Sequence, residues 1–464
     1  MFIGRERELA DLNRRYESGN FEFAVIYGRR RVGKTTLINE FVKDKECILY
    51  SATETNAKQN LTELSRSIYA LSDDYSNSES VFSSFQAAFE TVFSIAEKRR
   101  IVFVIDEYPY LASCSKGVSS VLQLLVDRYH EKSKLFIILC GSSMSFMENQ
   151  VMGYKSPLYG RRTCQYKIRP FEFFEARKYY SNFNGEDMAV IYGITGGIPL
   201  YMSLMNDRLS VEQNIKDNFL TPNAYLYEEP TNLIKQECRD ASQYNSIISA
   251  IANGASRLSE ICTKTDIDTS LASSYISKLI GLGIVKKELP YGADNSRKAI
   301  YALEDSMFRF WYRFVQDNTS VINRGFTDMV YKKIEPRISG FMGAVFEDIC
   351  TQYMWKMLAD GKSPVEFNDL GRWWGTDPRT KKQTEIDIMG VSPDNDYLFG
   401  ECKWTNEKVD LSVLETLVDR SELFKCRDKH FYLFARSGFT KGCIEKAEEM
   451  GNVTLVEYSE MLNE

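Results

Sequence analysis

The chain has 464 residues, 44% of them hydrophobic and 26% charged, which excludes a disordered polymer and suits about three folded domains. No apolar run approaches the ~20 residues of a membrane span, and the charged start Met1-Phe2-Ile3-Gly4-Arg5-Glu6-Arg7-Glu8 lacks the apolar core of a secretory signal. A net charge of −6 excludes a uniformly basic nucleic-acid surface, so DNA contacts are expected only from local patches. The 10 cysteines form no CxxC pair and read as reduced thiols in a cytoplasm. With His130 and His430 the only histidines, a metal is expected on carboxylates, which favours Mg²⁺ or Mn²⁺ over zinc.

Along the chain, Phe21 to Tyr27 is an apolar, β-rich run that ends at a glycine, and Lys34 to Lys43 follows as a helix. Cys47 to Tyr50, Ile101 to Ile105 and Leu135 to Cys140 are further short apolar runs with helical stretches between them. This alternation predicts a parallel sheet covered on both faces. From Pro170 to about Leu233 the pattern is mostly helical, with a turn at Gly196-Gly197-Ile198-Pro199. Three short amphipathic helices (244–252, 258–264 and 270–281) then precede an alternating stretch, 284–303, broken at Pro290-Tyr291-Gly292. Three helices and a hairpin describe a winged helix. Beyond Lys332-Lys333 and Pro336 a last α/β unit is expected from about Ile338. It has a helix over 342–356, strands over 385–391 and 397–404, a helix over 411–424 and a strand over 430–435.

Gly28-Arg29-Arg30-Arg31-Val32-Gly33-Lys34-Thr35 matches GxxxxGK[ST] in full, after a strand and before a helix. The glycines let backbone N–H groups wrap phosphates, and the helix that continues through Thr36 adds its N-terminal dipole. Lys34 is expected on the β/γ-phosphates and Thr35 on Mg²⁺. Ile101-Val102-Phe103-Val104-Ile105-Asp106-Glu107 is a buried strand ending in two acids. Asp106 fits the Mg²⁺-side carboxylate and Glu107 the base that polarises water. Ser142, at the tip of the next strand, is placed to sense a γ-phosphate.

Phe2-Ile3-Gly4-Arg5-Glu6, the Arg-rich P-loop, the Asp106-Glu107 strand and Gly196-Gly197-Ile198-Pro199 together resemble the archaeal-type ATPase family, itself similar to AAA+ and STAND NTPases. The resemblance implies ATP as ligand, a sheet with a helical lid and the Pro199 turn near the nucleotide. It also implies an adenine side at Phe2, Ile3 and Arg5, and an arginine finger at Arg161 or Arg162 acting in cis or in a homo-oligomer.

In the winged helix, Thr269, Ser270, Ser273, Ser274 and Lys278 on the third helix are recognition candidates, flanked by Lys286, Lys287, Arg297 and Lys298. In the last unit, strand alternation places Glu385 and Asp387 on one face with Ile386 and Ile388 on the other, and gives Glu401 and Lys403 a common face. Glu347 comes from the preceding helix. Such acids can hold Mg²⁺ or Mn²⁺, which acidifies a water, while Lys403 balances charge. Asp387 and Glu401-Cys402-Lys403 resemble the PD-(D/E)XK nuclease motif, with isoleucine where the motif has proline. The region also resembles the domain of unknown function that follows archaeal-type ATPases.

The expected fold is therefore multidomain. It comprises an α/β P-loop NTPase core (1–168, AAA+-like), a helical lid (169–235), a winged helix (236–318) and an α/β restriction-endonuclease-like domain (335–464). The expected function is an ATP-hydrolysing, DNA-binding protein with a metal-dependent nuclease-like domain. The alternative is a STAND-like ATPase switch whose nuclease fold is catalytically inactive and binds DNA or protein. No membrane partner is expected.

Overall fold

The computed structural model describes residues 2–71, 80–294 and 298–463. The chain divides into two compact units, Met1–Phe171 with Ile198–Leu200, and Glu172–Gly197 with Tyr201–Glu464. Among the described residues, no helix is long and apolar enough to cross a membrane.

The first unit is built on five strands: β1 (Glu22–Tyr27), β2 (Cys47–Ser51), β3 (Ile101–Asp106), β4 (Leu135–Gly141) and β5 (Cys164–Lys167). Their order is β2-β3-β4-β1-β5, and every pairing is parallel. Residues of β1, β3 and β4 are buried throughout, as a sheet covered on both faces requires. Phe23, Val25 and Tyr27 turn to one core, whereas Ala24 and Ile26 turn to another that holds Leu37, Ile38 and Phe41 of the P-loop helix Lys34–Val42. Tyr27 pairs with Gly141 and Ile105 with Leu139. The register thus brings the ends of β1, β3 and β4 to one sheet edge. Strand β5 was not legible in the sequence because its Cys-Gln-Tyr-Lys is a half-exposed edge without an apolar run.

The second unit contains the helices Gly185–Thr195, Ala241–Ala252, Leu258–Thr265 and Thr269–Gly281, and an antiparallel hairpin of β6 (Val285–Glu288) and β7 (Ile300–Leu303). Its large sheet has the order β12-β11-β10-β9-β8. The strands are β8 (Leu370–Thr376), β9 (Gln383–Val391), β10 (Asp396–Lys403), β11 (Asp428–Ala435) and β12 (Val453–Glu457). Pairings among β8, β9 and β10 are antiparallel, and those among β10, β11 and β12 are parallel.

Two expectations about this unit are corrected. No break falls at Pro336: one helix runs over Thr327–Ala359. Lys332, Lys333, Glu335 and Pro336 are all exposed, so water can solvate the carbonyl that proline leaves without its helical donor. Nor does β9 alternate strictly. Gly371 pairs with Met389 and Trp373 with Ile386, so two residues, Asp387 and Ile388, oppose the single Arg372. This bulge carries Ile386 and Met389 into one core cluster, while Ile388 packs against Gly400. Ile386 and Ile388 therefore do not share a face.

Candidate functional site

The P-loop leaves β1 at Gly28, where a Cβ would lie 2.2 Å from the Ile168 carbonyl oxygen, so only glycine fits. Gly33 caps the helix at φ +89, a left-handed conformation that glycine adopts without strain. Between them buried Val32 anchors the loop in the core, Arg31 takes φ +72, and Arg30 Nη2 donates to the Tyr110 hydroxyl at 3.2 Å. Arg29 is half-buried and Thr36 exposed. Lys34 is buried, and its Nζ donates to the carbonyls of Gly28 and Arg29, each at 2.9 Å. Burial pushes its pKa below the usual lysine range, against the pull of Cys140, Glu107 and Asp106. Anionic phosphates in the loop would relieve that penalty, so the residues present fit a nucleotide.

Thr35 Oγ1 lies 3.3 Å from Asp106 Oδ2, which pairs the two groups expected on Mg²⁺. The Asp106 Oδ1 accepts the Glu107 N–H at 3.0 Å, and Glu107 itself sits at φ +50. Its Oε2 accepts both the Ser142 N–H at 3.3 Å and the Ser142 hydroxyl at 3.0 Å. Ser142 thus orients the candidate base. Pro199 Cγ stands 3.7 Å from where a Gly33 Cβ would be, so the Pro199 turn lies against the loop. Arg5 is buried over the Phe171 ring and donates to the carbonyls of Val32 and Arg169, bracing the loop through its backbone. Arg161 makes a two-pronged pair with Asp127, both bonds at 2.8 Å, which it must release before it can act as a finger.

The C-terminal acids lie across the long helix, β9 and β10. Asp387, on the bulge, accepts the Cys402 N–H at 2.9 Å. Burial and then the negative charge of Glu401 raise its pKa. Glu347 is raised further, by burial and then by Asp387. Glu401 is committed elsewhere: Lys403 Nζ is 2.6 Å from one carboxylate oxygen and Arg420 Nη1 is 3.0 Å from the other. Burial works against the Lys403 charge, but Glu401 outweighs it and the pKa rises. Among the described residues, no three His, Cys, Asp or Glu side chains are gathered closely enough to hold a metal ion. The expected set of Asp387, Glu401 and Glu347 is therefore not assembled as a three-acid cluster, because two cations already neutralise Glu401.

Sequence reasoning missed Arg372 and Arg420. Arg372 Nη2 is 2.5 Å from Glu385 Oε2, and its charge opposes the raised pKa values of Glu347 and Asp387. Only a recognised strand at Leu370–Thr376 would have pointed to it. On the helix Thr269–Gly281, Thr269, Ser270, Ser273, Ser274 and Lys278 are all exposed. Lys286 pairs with Glu288 at 2.5 Å, Lys287 and Lys298 are exposed, and Arg297 lies outside the described residues.

A parallel sheet that carries a complete P-loop, with Asp106 beside Thr35 and Glu107 held at the adjacent strand tip, defines a P-loop ATPase. A family described as an ATPase domain predominantly from Archaea matches residues 2–205, and one described as archaeal and bacterial proteins of unknown function matches 311–414. The uncharacterized protein MJECL04 of Methanocaldococcus jannaschii is 32% identical over 411 residues, 88% of each chain. The chain belongs to the archaeal-type P-loop ATPase family that this relative represents. A second protein of that organism, the uncharacterized ATP-binding protein MJ0423, is 44% identical over 46 residues, 10% of this chain and 78% of that one. The solved Walker-type ATPase PABY2304 of Pyrococcus abyssi shares the fold, with a TM-score of 0.51 at 20% identity over 67% of this chain and 96% of that one.

Proposed function

We propose that this ATPase is an ATP-regulated DNA-binding protein whose C-terminal domain is a metal-dependent nuclease. With ATP bound, Lys34 would exchange the Gly28 and Arg29 carbonyls for phosphate oxygens, Thr35 and Asp106 would hold Mg²⁺, and Glu107 would polarise the attacking water. The three helices and the β6–β7 hairpin act as a winged helix, with Thr269, Ser270, Ser273, Ser274 and Lys278 toward DNA.

One observation carries the nuclease reading. Glu347 and Asp387 come from different elements and are largely withdrawn from water, and Asp387 pushes the Glu347 carboxyl up while Glu401 does the same to Asp387, a repulsion that a divalent cation would relieve. These two carboxylates would hold the ion, and Glu401 would join them once Lys403 and Arg420 release it. Mg²⁺ or Mn²⁺ held there would supply Lewis acidity toward a phosphodiester. Lys403 would balance the charge that develops on the phosphate oxygens.

The test incubates the purified chain with linear, branched and single-stranded DNA and Mn²⁺, with and without ATP, beside Asp387→Ala. Cleavage by the wild type alone is expected. A second reading rests on the Glu401 ion pairs: a fold with its acids neutralised that binds DNA or protein as a regulatory switch. DNA binding with no cleavage of any substrate would move the assignment there.

A further inference from the structure

The β6–β7 hairpin is a wing in the proposed function, yet its tip is occupied. Pro290-Tyr291-Gly292-Ala293 closes a tight turn: Ala293 N–H donates to the Pro290 carbonyl at 2.9 Å, and Gly292 takes φ +71. This is a type II geometry, which needs a residue such as glycine at its third position. Tyr291, at the second position, is left with an N–H that the turn does not use.

That N–H donates to the Arg372 carbonyl of β8 at 2.9 Å. The Tyr291 hydroxyl reaches the Asp369 carbonyl at 3.4 Å, and its ring packs against the cluster of Ile386, Met389 and Phe399. Gly371 makes room for the ring, since a Cβ there would stand 3.1 Å from Tyr291 Cδ2. Strand β8 is the edge of its sheet, so its outward carbonyls have no neighbouring strand. The wing tip thus takes the place of a neighbour at one residue, Arg372. That residue stands opposite the Asp387-Ile388 bulge and carries the guanidinium that pairs with Glu385.

We propose that Tyr291 is a positioning residue for the Asp387 site, clamping β8 so that Arg372 and the bulge keep their places when the winged helix is engaged. The wing is then a strut between two folds and not a free DNA-reading finger. Only the chemical role of the acids rests on the nuclease reading; the clamp itself does not.

Amide hydrogen exchange on the full chain tests it, comparing wild type with Tyr291→Ala, Tyr291→Phe and Gly371→Val. Tyr291→Ala keeps the backbone N–H but removes the ring whose packing holds it against the Arg372 carbonyl, so protection over 370–376 and 385–388 should fall roughly tenfold. Protection over 428–435 should stay constant. Gly371→Val, which pushes the ring away from the other side, should reproduce the loss, and Tyr291→Phe should match wild type. Unchanged protection over 370–376 in both disruptive variants overturns the clamp. A loss there that leaves 385–388 untouched overturns the positioning role. A Mn²⁺ titration of the wild type runs alongside: absence of Mn²⁺ binding would sink the metal reading and leave the exchange result to decide the clamp.

Discussion

Glu347→Gln is expected to stabilise the protein, and increasingly so as pH rises. Burial and Asp387 push the Glu347 carboxyl up to about 8 from an ordinary 4.5, so the folded state holds this proton more tightly than the unfolded chain. The resulting stability is fully present below the unfolded value and is lost as pH climbs through the folded one. Each tenfold difference in proton affinity between the two states corresponds to about 1.4 kcal/mol, so at about pH 7 the loss has an upper bound of about 3 kcal/mol. Glu347 keeps part of its surface in water and Arg372 opposes the repulsion, which reduces the expected penalty to about 1–2 kcal/mol. Glutamine keeps the shape and removes the charge. Urea unfolding of both proteins between about pH 5 and pH 8.5 measures the difference, which should be near zero at the acid end and grow toward the alkaline end. Mn²⁺ should recover the loss in wild type and do nothing for Glu347→Gln. Parallel pH–stability curves for the two proteins would refute the reasoning.

Two further outcomes follow from the P-loop unit. Ser142→Ala removes the hydroxyl that holds Glu107, so phosphate release per site should fall roughly tenfold while nucleotide affinity stays unchanged in titration. Equal loss of affinity would assign Ser142 to binding instead. Gly28→Ala drives a methyl into the Ile168 carbonyl, so chemical denaturation should show a loss of about 2 kcal/mol or more and a fluorescent nucleotide should no longer bind.

The P-loop was legible because its chemistry is local: glycines, Lys34 and Thr35 act within one strand, loop and helix. Asp106 and Glu107 were legible for a related reason, since a buried apolar run such as Ile101 to Ile105 that ends in acids is a strand tip in any parallel sheet. Glu347, Asp387, Glu401 and Lys403 were singled out by residue type and spacing, but their relations to one another were not legible. Alternation does not anticipate a bulge, and nothing in Glu401-Cys402-Lys403 announces that Arg420 will neutralise the acid. Arg372 escaped because Leu370–Thr376 is half-exposed along its length and carries two glycines, which weakens the strand pattern.

Sequence alone therefore determined the ATPase. Local propensity, burial periodicity and a contiguous phosphate motif leave little choice about where a nucleotide sits. Tertiary structure decided the rest: that one helix runs through Pro336, that Ser142 holds Glu107, and that Tyr291 bonds to the Arg372 carbonyl. The two bonds join residues far apart in the chain, and the helix persists because its proline faces water. Each depends on register, on a bulge or on which face of an element meets its neighbour, and no short stretch of sequence encodes those.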